Sequence, residues 1–221
     1  MAAPTLVMAT RNPGKVRELR EILKDLDFKL LSLADFPELP EIPETGATFL
    51  ENAAAKAREV ARLTGLPALA DDSGLEVAAL GGRPGVFSAR YAGDLTFPAT
   101  PTDQDNWRKL LTEMAGVPPE ARGARFVCAI ALALPDGRLY HTRGECAGYI
   151  ALAPRGDQGF GYDPVFTVPE YGATLAELGP KIKNRISHRA RALAALKDLL
   201  GSLQPELAAF GRKNRDVAQP G

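Results

Sequence analysis

Thr5-Leu6-Val7-Met8-Ala9-Thr10-Arg11-Asn12-Pro13-Gly14-Lys15-Val16 reads as a short apolar strand, a turn and the start of a helix. After the turn, Val16, Leu19, Leu23 and Leu26 recur at helical spacing. Asn12 suits an N-cap and Pro13 the first helical position. Phe28–Leu33 follows as a second strand. Strand, helix and strand in succession point to an α/β fold.

Working outward, Thr48-Phe49-Leu50-Glu51 has capping-box spacing and opens a helix to about Leu63. The Pro- and Glu-rich segment 34–47 before it is longer than most connections, which marks it as functional. Ala68–Ala70 reads as a strand that stops at Asp71-Asp72-Ser73-Gly74, and Leu75–Leu80 as a separate strand. Thr102–Asp105 starts a helix whose apolar face is Trp107, Leu110, Leu111 and Met114. Ala124–Leu134 and Arg138–Ile150 form a hairpin around Pro135-Asp136-Gly137. The last helix starts at Ser187 and carries Leu193, Leu196 and Leu200 inward. The expected organisation is one domain over residues 1–201 and a flexible polar tail over 202–221.

Bulk properties exclude several classes. In 221 residues, 27 Lys and Arg balance 27 Asp and Glu, so no global field draws the chain to nucleic acid or to an anionic membrane. No apolar run approaches the roughly 20 residues that cross a bilayer, and no signal-peptide pattern is present. Cys128 and Cys146 are too few for a disulfide framework or a zinc site. They read as buried thiols in a reducing cytosol, and a cytoplasmic location is expected.

Four constellations carry chemistry. The Thr10–Lys15 turn resembles a phosphate site, with backbone N–H groups at a helix start and a mobile lysine charge. It is not a Walker A loop, because Ala9 stands where the first glycine belongs and Val16 replaces the Ser/Thr. The bland alternative is a capped surface turn. Asp71-Asp72 repel unless a cation compensates them. Hard carboxylate oxygens suit Mg²⁺, with Glu44 and Glu41 in the preceding loop as further candidates; a solvated acidic turn is the other reading. Residues 155–163 place Gly156, Gly159 and Gly161 around Phe160, Tyr162 and Asp163, a loop able to approach and stack on a base, or simply a tight aromatic turn. Finally, Lys181, Lys183, Arg185, His188, Arg189 and Arg191 form a dense basic stretch, with Ser187 as a helix cap. A solvated face is its alternative. Together the parts read as triphosphate, metal and base.

With these residues in place, the chain resembles the inosine/xanthosine triphosphate pyrophosphatases. The motifs are Thr10-x-Asn12-x-x-Lys15, Thr45-Gly46-x-Thr48-Phe49-x-Glu51-Asn52-Ala53 with Lys56, Ala70-Asp71-Asp72-Ser73-Gly74-Leu75, Gly81-Gly82-x-Pro84-Gly85, Ser88-Ala89-Arg90-Tyr91, Gly159–Pro164 and Ile186-Ser187-His188-Arg189. The resemblance runs from about Val7 to Leu200. It implies an elongated mixed β-sheet flanked by helices, in two lobes with a nucleotide in the central cleft. It implies a homodimer that hydrolyses dITP, ITP and XTP to the monophosphate and pyrophosphate with Mg²⁺. Thr10, Arg11, Asn12, Pro13, Gly14, Lys15, Lys56 and Ser73 would hold phosphates. Phe160, Gly161, Tyr162, Asp163, Lys183, His188 and Arg189 would hold the purine. Asp72 would be general base and metal ligand. Where relatives often carry two acidic residues before the Thr-Gly, this chain has Pro43, which leaves the second metal ligand between Glu44 and Glu41. The competing readings are a pyrophosphatase with another base preference and a nucleotide- or RNA-binding module.

Overall fold

A computed structural model describes residues 3–96 and 99–216. Its strands are β1 Thr5–Met8, β2 Lys29–Ser32, β3 Ala68–Val77, β4 Gly123–Ala133, β5 Leu139–Ile150, β6 Phe166–Val168 and β7 Ala173–Thr174. They form one seven-stranded sheet in the order β2-β1-β3-β4-β5-β6-β7. β1 runs parallel to β2 and β3, whereas β6 runs antiparallel to both β5 and β7. The sheet is therefore mixed, and the α/β expectation is met. The helices are α1 Pro13–Leu23, α2 Phe49–Thr64, the single turn α3 Gly93–Thr96, α4 Asp103–Glu113, α5 Leu175–Ile186 and α6 His188–Asp216. α5 is broken at Gly179, whose φ of 72° no helix accommodates.

The chain divides into two compact units, one of residues 1–72, 129–143 and 192–221, the other of 73–128 and 144–191. In the first, Ala53, Ala54, Ala57 and Ala61 of α2 share a buried cluster with Ala68, Ala70, Ala131 and Ala133 of the strands. Alanine is the strongest helix former and leaves almost no bulk between helix and sheet. The helix starts where the Thr48 hydroxyl accepts the Glu51 N–H and ends at Gly65, with φ 66°. The expected reciprocal box is half present, because the Glu51 carboxylate accepts from Ala47 instead of Thr48.

In the second unit, Leu75, Val77, Leu110, Met114, Phe126, Ile150, Tyr162, Val165, Phe166 and Leu175 form one core. Arg122 is buried at its edge and donates to the main-chain carbonyls of Met114, Val117, Ile150 and Ala151. Five fixed donors let one arginine close several chain ends at once. Cys128 and Cys146 are free and buried. Among the described residues no helix is long and apolar enough to cross a membrane.

Several boundaries differ from the sequence reading; the expected strand to Leu80 ends at Val77, with a 3-10 turn over Ala78–Leu80. β3 is a single strand through Asp71-Asp72-Ser73-Gly74, so the acidic pair lies within it and not at its end. The charges that make those residues look like a turn are met by cations from α1 and α2, and a compensated carboxylate has no need of water. α6 continues past Gly201 and Pro205 to Asp216, with Leu203 and Leu207 buried. Of the 202–221 tail, residues 217–221 lie outside the described residues.

Gly148 tests the packing of β5 on β6. A Cβ there would meet the Thr167 carbonyl oxygen and lie 2.6 Å from Phe166 Cζ, and neither can yield cheaply. Gly148→Ala is expected to destabilise the protein by about 1–3 kcal/mol, read by denaturant unfolding.

Candidate active site

The first group of site residues is held by β1, α1, α2 and β3. Asn12 caps α1 by accepting from Gly14 N–H at 2.8 Å and Lys15 N–H at 3.2 Å, and Thr10 Oγ1 accepts from the Asn12 N–H at 3.2 Å. Pro13 occupies the first turn, where its missing N–H costs nothing. This cap fixes the direction of the Lys15 side chain, whose Nζ lies 3.1 Å from Asp71 Oδ2. Arg11 turns away and donates to the Leu39 carbonyl at 2.7 Å, tying the turn to the loop that carries Glu44.

Asn52 and Lys56 are one helical turn apart on α2 and so share a face. The alanine seam brings that face close to β3. Lys56 Nζ lies 2.7 Å from Glu44 Oε1, 3.0 Å from the Asp71 carbonyl and 3.9 Å from Asp72 Oδ1. Asn52 donates to Asp72 Oδ2 at 2.9 Å and accepts from Gly46 N–H at 2.7 Å. Gly46 must be glycine, since a Cβ would lie 2.8 Å from that same Asn52 oxygen.

Electrostatics sets Asp72 apart. Burial raises its pKa above the usual aspartate value of 3.8 and the neighbouring Glu44 adds to this, while Lys56, Asn52 and Lys15 oppose it. The net direction is upward, which makes it a better proton acceptor than an ordinary aspartate. For Lys56, burial works against the ammonium, but Asp72, Glu44 and Asp71 outweigh it and its pKa is raised. Lys56 therefore stays charged.

Glu44 and Asp72 share one cation, so they can share another. Two hard carboxylates completed by substrate oxygens and water match the habits of Mg²⁺. Among the described residues no group of three or more His, Cys, Asp or Glu side chains is gathered as a metal cage. The donor set thus fits an ion that arrives with phosphate. Lys56 pairs with Glu44, and no described contact brings Glu41 to this group.

The second group lies in the other unit. Ser73 Oγ accepts from Arg189 at 2.9 Å, and Arg189 is almost wholly buried (1% exposed). Ser187 caps α6 by accepting the Ala190 N–H, which puts His188 and Arg189 on its first turn as expected. His188 stacks on Phe126 with centroids 4.8 Å apart and planes 12° from parallel. Lys183 Nζ lies 2.6 Å from Asp163 Oδ2 and 4.1 Å from the centroid of the Phe160 ring. Arg189 lies 5.7 Å from the same ring. Asp163 also accepts from Phe160 N–H at 2.9 Å, and Gly161 N–H donates to Asp103 at 2.7 Å. Two amides of this loop, those of Phe160 and Gly161, thus have carboxylate acceptors. Tyr162 donates its hydroxyl to the Ser88 carbonyl, and burial keeps that hydroxyl protonated.

Thr10, Asn12, Lys15, Glu44, Lys56 and Asp72 gather in the first unit; Ser73, Phe160, Gly161, Tyr162, Asp163, Lys183, His188 and Arg189 gather in the second. Sequence reasoning missed Asn52, Asp71 as counter-ion of Lys15, and Asp103. Asn52 had a legible signal, since it precedes Lys56 by one helical turn. Asp103 had none, because its partner lies 58 residues away.

The model of the Ham1 family matches residues 6–199. The dITP/XTP pyrophosphatase of Geobacter sulfurreducens is 57% identical over 196 residues, 89% of this chain and 96% of that protein. The Thermus thermophilus protein of the same name is 56% identical over 191 residues, 86% of this chain and 89% of that one. A HAM1 protein from Coxiella burnetii superposes with a TM-score of 0.81 at 45% identity, covering 90% of this chain and 99% of that one. A nucleoside-triphosphatase / dITP/XTP pyrophosphatase from Mycobacterium abscessus gives 0.71 at 47% identity, covering 87% of this chain and 98% of that one.

The raised pKa of Asp72 predicts a pH signature. The native state holds this proton longer than the unfolded chain, so ionising Asp72 lowers stability as pH rises from about 4 through its folded pKa. Asp72→Asn removes that slope. Its stability relative to wild type should improve over that interval and level off above it, measured by denaturant unfolding at several pH values. A flat difference would show that Asp72 titrates normally.

Proposed function

Because the chain belongs to the Ham1 family, whose close relatives are dITP/XTP pyrophosphatases, we propose that it hydrolyses dITP, XTP and ITP to the nucleoside monophosphate and pyrophosphate. The observation that carries the chemistry is Asp72, a buried carboxylate with a raised pKa beside Lys56 and Glu44. The reading of residues 1–201 as one domain is part of the same proposal.

In this mechanism Asp72 accepts a proton from the water that attacks the α-phosphorus. The bond from that phosphorus to the bridging oxygen breaks, and the electron pair leaves with pyrophosphate. Lys15 and Lys56 shift from their carboxylate partners toward the phosphate oxygens, aided by the Thr10–Lys15 turn with Arg11, Pro13 and Gly14, and by Ser73. Fixed cations of this kind stabilise the charge that develops as the bond breaks. Asp72 and Glu44 would hold Mg²⁺, which supplies charge neutralisation on the phosphate oxygens when bound.

The purine stacks on Phe160, with Lys183, His188 and Arg189 at its edge. Donors facing the 6-oxygen of hypoxanthine or xanthine are satisfied, whereas the 6-amino group of adenine leaves them unpaired. Sites that hydrogen-bond a substrate group in this way discriminate by about 10⁴–10⁵. Gly161, Tyr162 and Asp163 keep the loop in place. The protein acts as a homodimer in the cytoplasm, on a small nucleotide and not on nucleic acid or membrane. A related enzyme with another base preference would keep the same phosphate residues and differ at the loop.

Incubation with Mg²⁺ and ITP should release pyrophosphate, with ATP slower by at least about a hundredfold. Asp72→Asn should lose turnover and still bind ITP. Equal rates on ITP and ATP would refute the selectivity, and wild-type turnover in Asp72→Asn would refute the assigned base.

A further inference from the structure

The loop that ends in Asp163 contains two glycines in the left-handed region, Gly159 at φ 85° and Gly161 at φ 62°. Such a segment has many conformations open to it and stays in one only when outside contacts select it. Its inner side is held by the Tyr162 hydroxyl on the Ser88 carbonyl, and by Asp163 accepting from Phe160 and from Lys183. Gly161 is held from elsewhere in the chain, by Asp103 on the first turn of α4. The contact is a carboxylate accepting a backbone N–H at 2.7 Å, the short charge-assisted kind.

α4 is a firm support for it. Leu110 and Met114 lie in the same core as Tyr162. Asn106, nearly fully buried, accepts from the Ala92 N–H and donates to the Ala89 carbonyl, which fastens α4 to the segment carrying Ser88. The Ser88 hydroxyl in turn accepts from the Leu75 N–H and donates to the Gly85 carbonyl. The loop is therefore clamped at Tyr162 and at Gly161 to one braced frame.

We infer that Asp103 is a positioning residue for base recognition, its carboxylate holding Gly161 so that the Phe160 ring stays beneath Lys183 and Arg189. The inference rests on the reading that this loop stacks the purine. Asp103 touches neither phosphate nor base. Its loss loosens the stacking surface while the phosphate residues keep their arrangement.

The test compares Asp103→Ala, Asp103→Asn and Phe160→Ala with the wild-type enzyme. Asp103→Ala is expected to raise KM for ITP about tenfold and leave kcat within about twofold. Asp103→Asn keeps an acceptor oxygen and should restore most of the loss. Inorganic tripolyphosphate, which lacks a base, should inhibit wild type and Asp103→Ala equally. An unchanged KM in Asp103→Ala, with KM raised in Phe160→Ala, would overturn the role of Asp103 and leave the loop reading intact. An unchanged KM in both variants would remove the loop reading itself. A fall in kcat together with weaker tripolyphosphate inhibition would mark Asp103 as a general structural residue and overturn the inference.

Discussion

Three carboxylates gather around one ammonium, and much of the arrangement of the first unit's polar residues follows from that pairing. Asp71, Asp72 and Glu44 all interact with Lys56 or sit beside it. A second cation, Lys15, takes Asp71. Without these cations, adjacent acidic residues in a buried strand would repel each other and pay for lost hydration. With them, β3 runs unbroken through the pair. Under the proposed function, the same charges that stabilise the resting arrangement are those a metal-bound triphosphate would exchange, a phosphate chain taking the lysines and a cation the carboxylates.

Close approach makes the pairing possible. Lys56 can reach the Asp71 carbonyl and the Glu44 carboxylate together because Ala53, Ala57 and Ala61 of α2 meet Ala68 and Ala70 of β3 in one buried cluster. Larger residues at 53, 57 or 61 would push the helix outward and lengthen each of these contacts. The core of the first unit is thus built for distance as much as for burial. The second unit is built differently, with bulky Phe, Tyr, Leu and Met residues packed behind a glycine-containing loop. There the core supplies a rigid backing for the loop that carries Phe160.

Particular elements show how far the sequence could be read. The Asn12 cap, the start of α4 at Thr102 and the hairpin around Asp136 were legible, because each depends on residues within a few positions of one another. The course of β3 was misread, because Asp-Asp-Ser-Gly is a local turn signal and the lysines that silence it come from elsewhere in the chain. The end of the last helix was misplaced for a related reason. Pro205 and Gly201 argue for a stop, while burial of Leu203 and Leu207 favours continuing.

The sequence by itself determined the family, the α/β class and the kinds of chemical group available, since motif order and residue type survive without coordinates. Only tertiary structure decided which acid meets which base: that Lys15 pairs with Asp71, that Lys56 bonds Glu44 and lies beside Asp72, and that Asp103 reaches Gly161. Those choices depend on distances of about 3 Å between residues remote in the chain, and Coulomb and hydrogen-bond energies act on that separation rather than on sequence spacing.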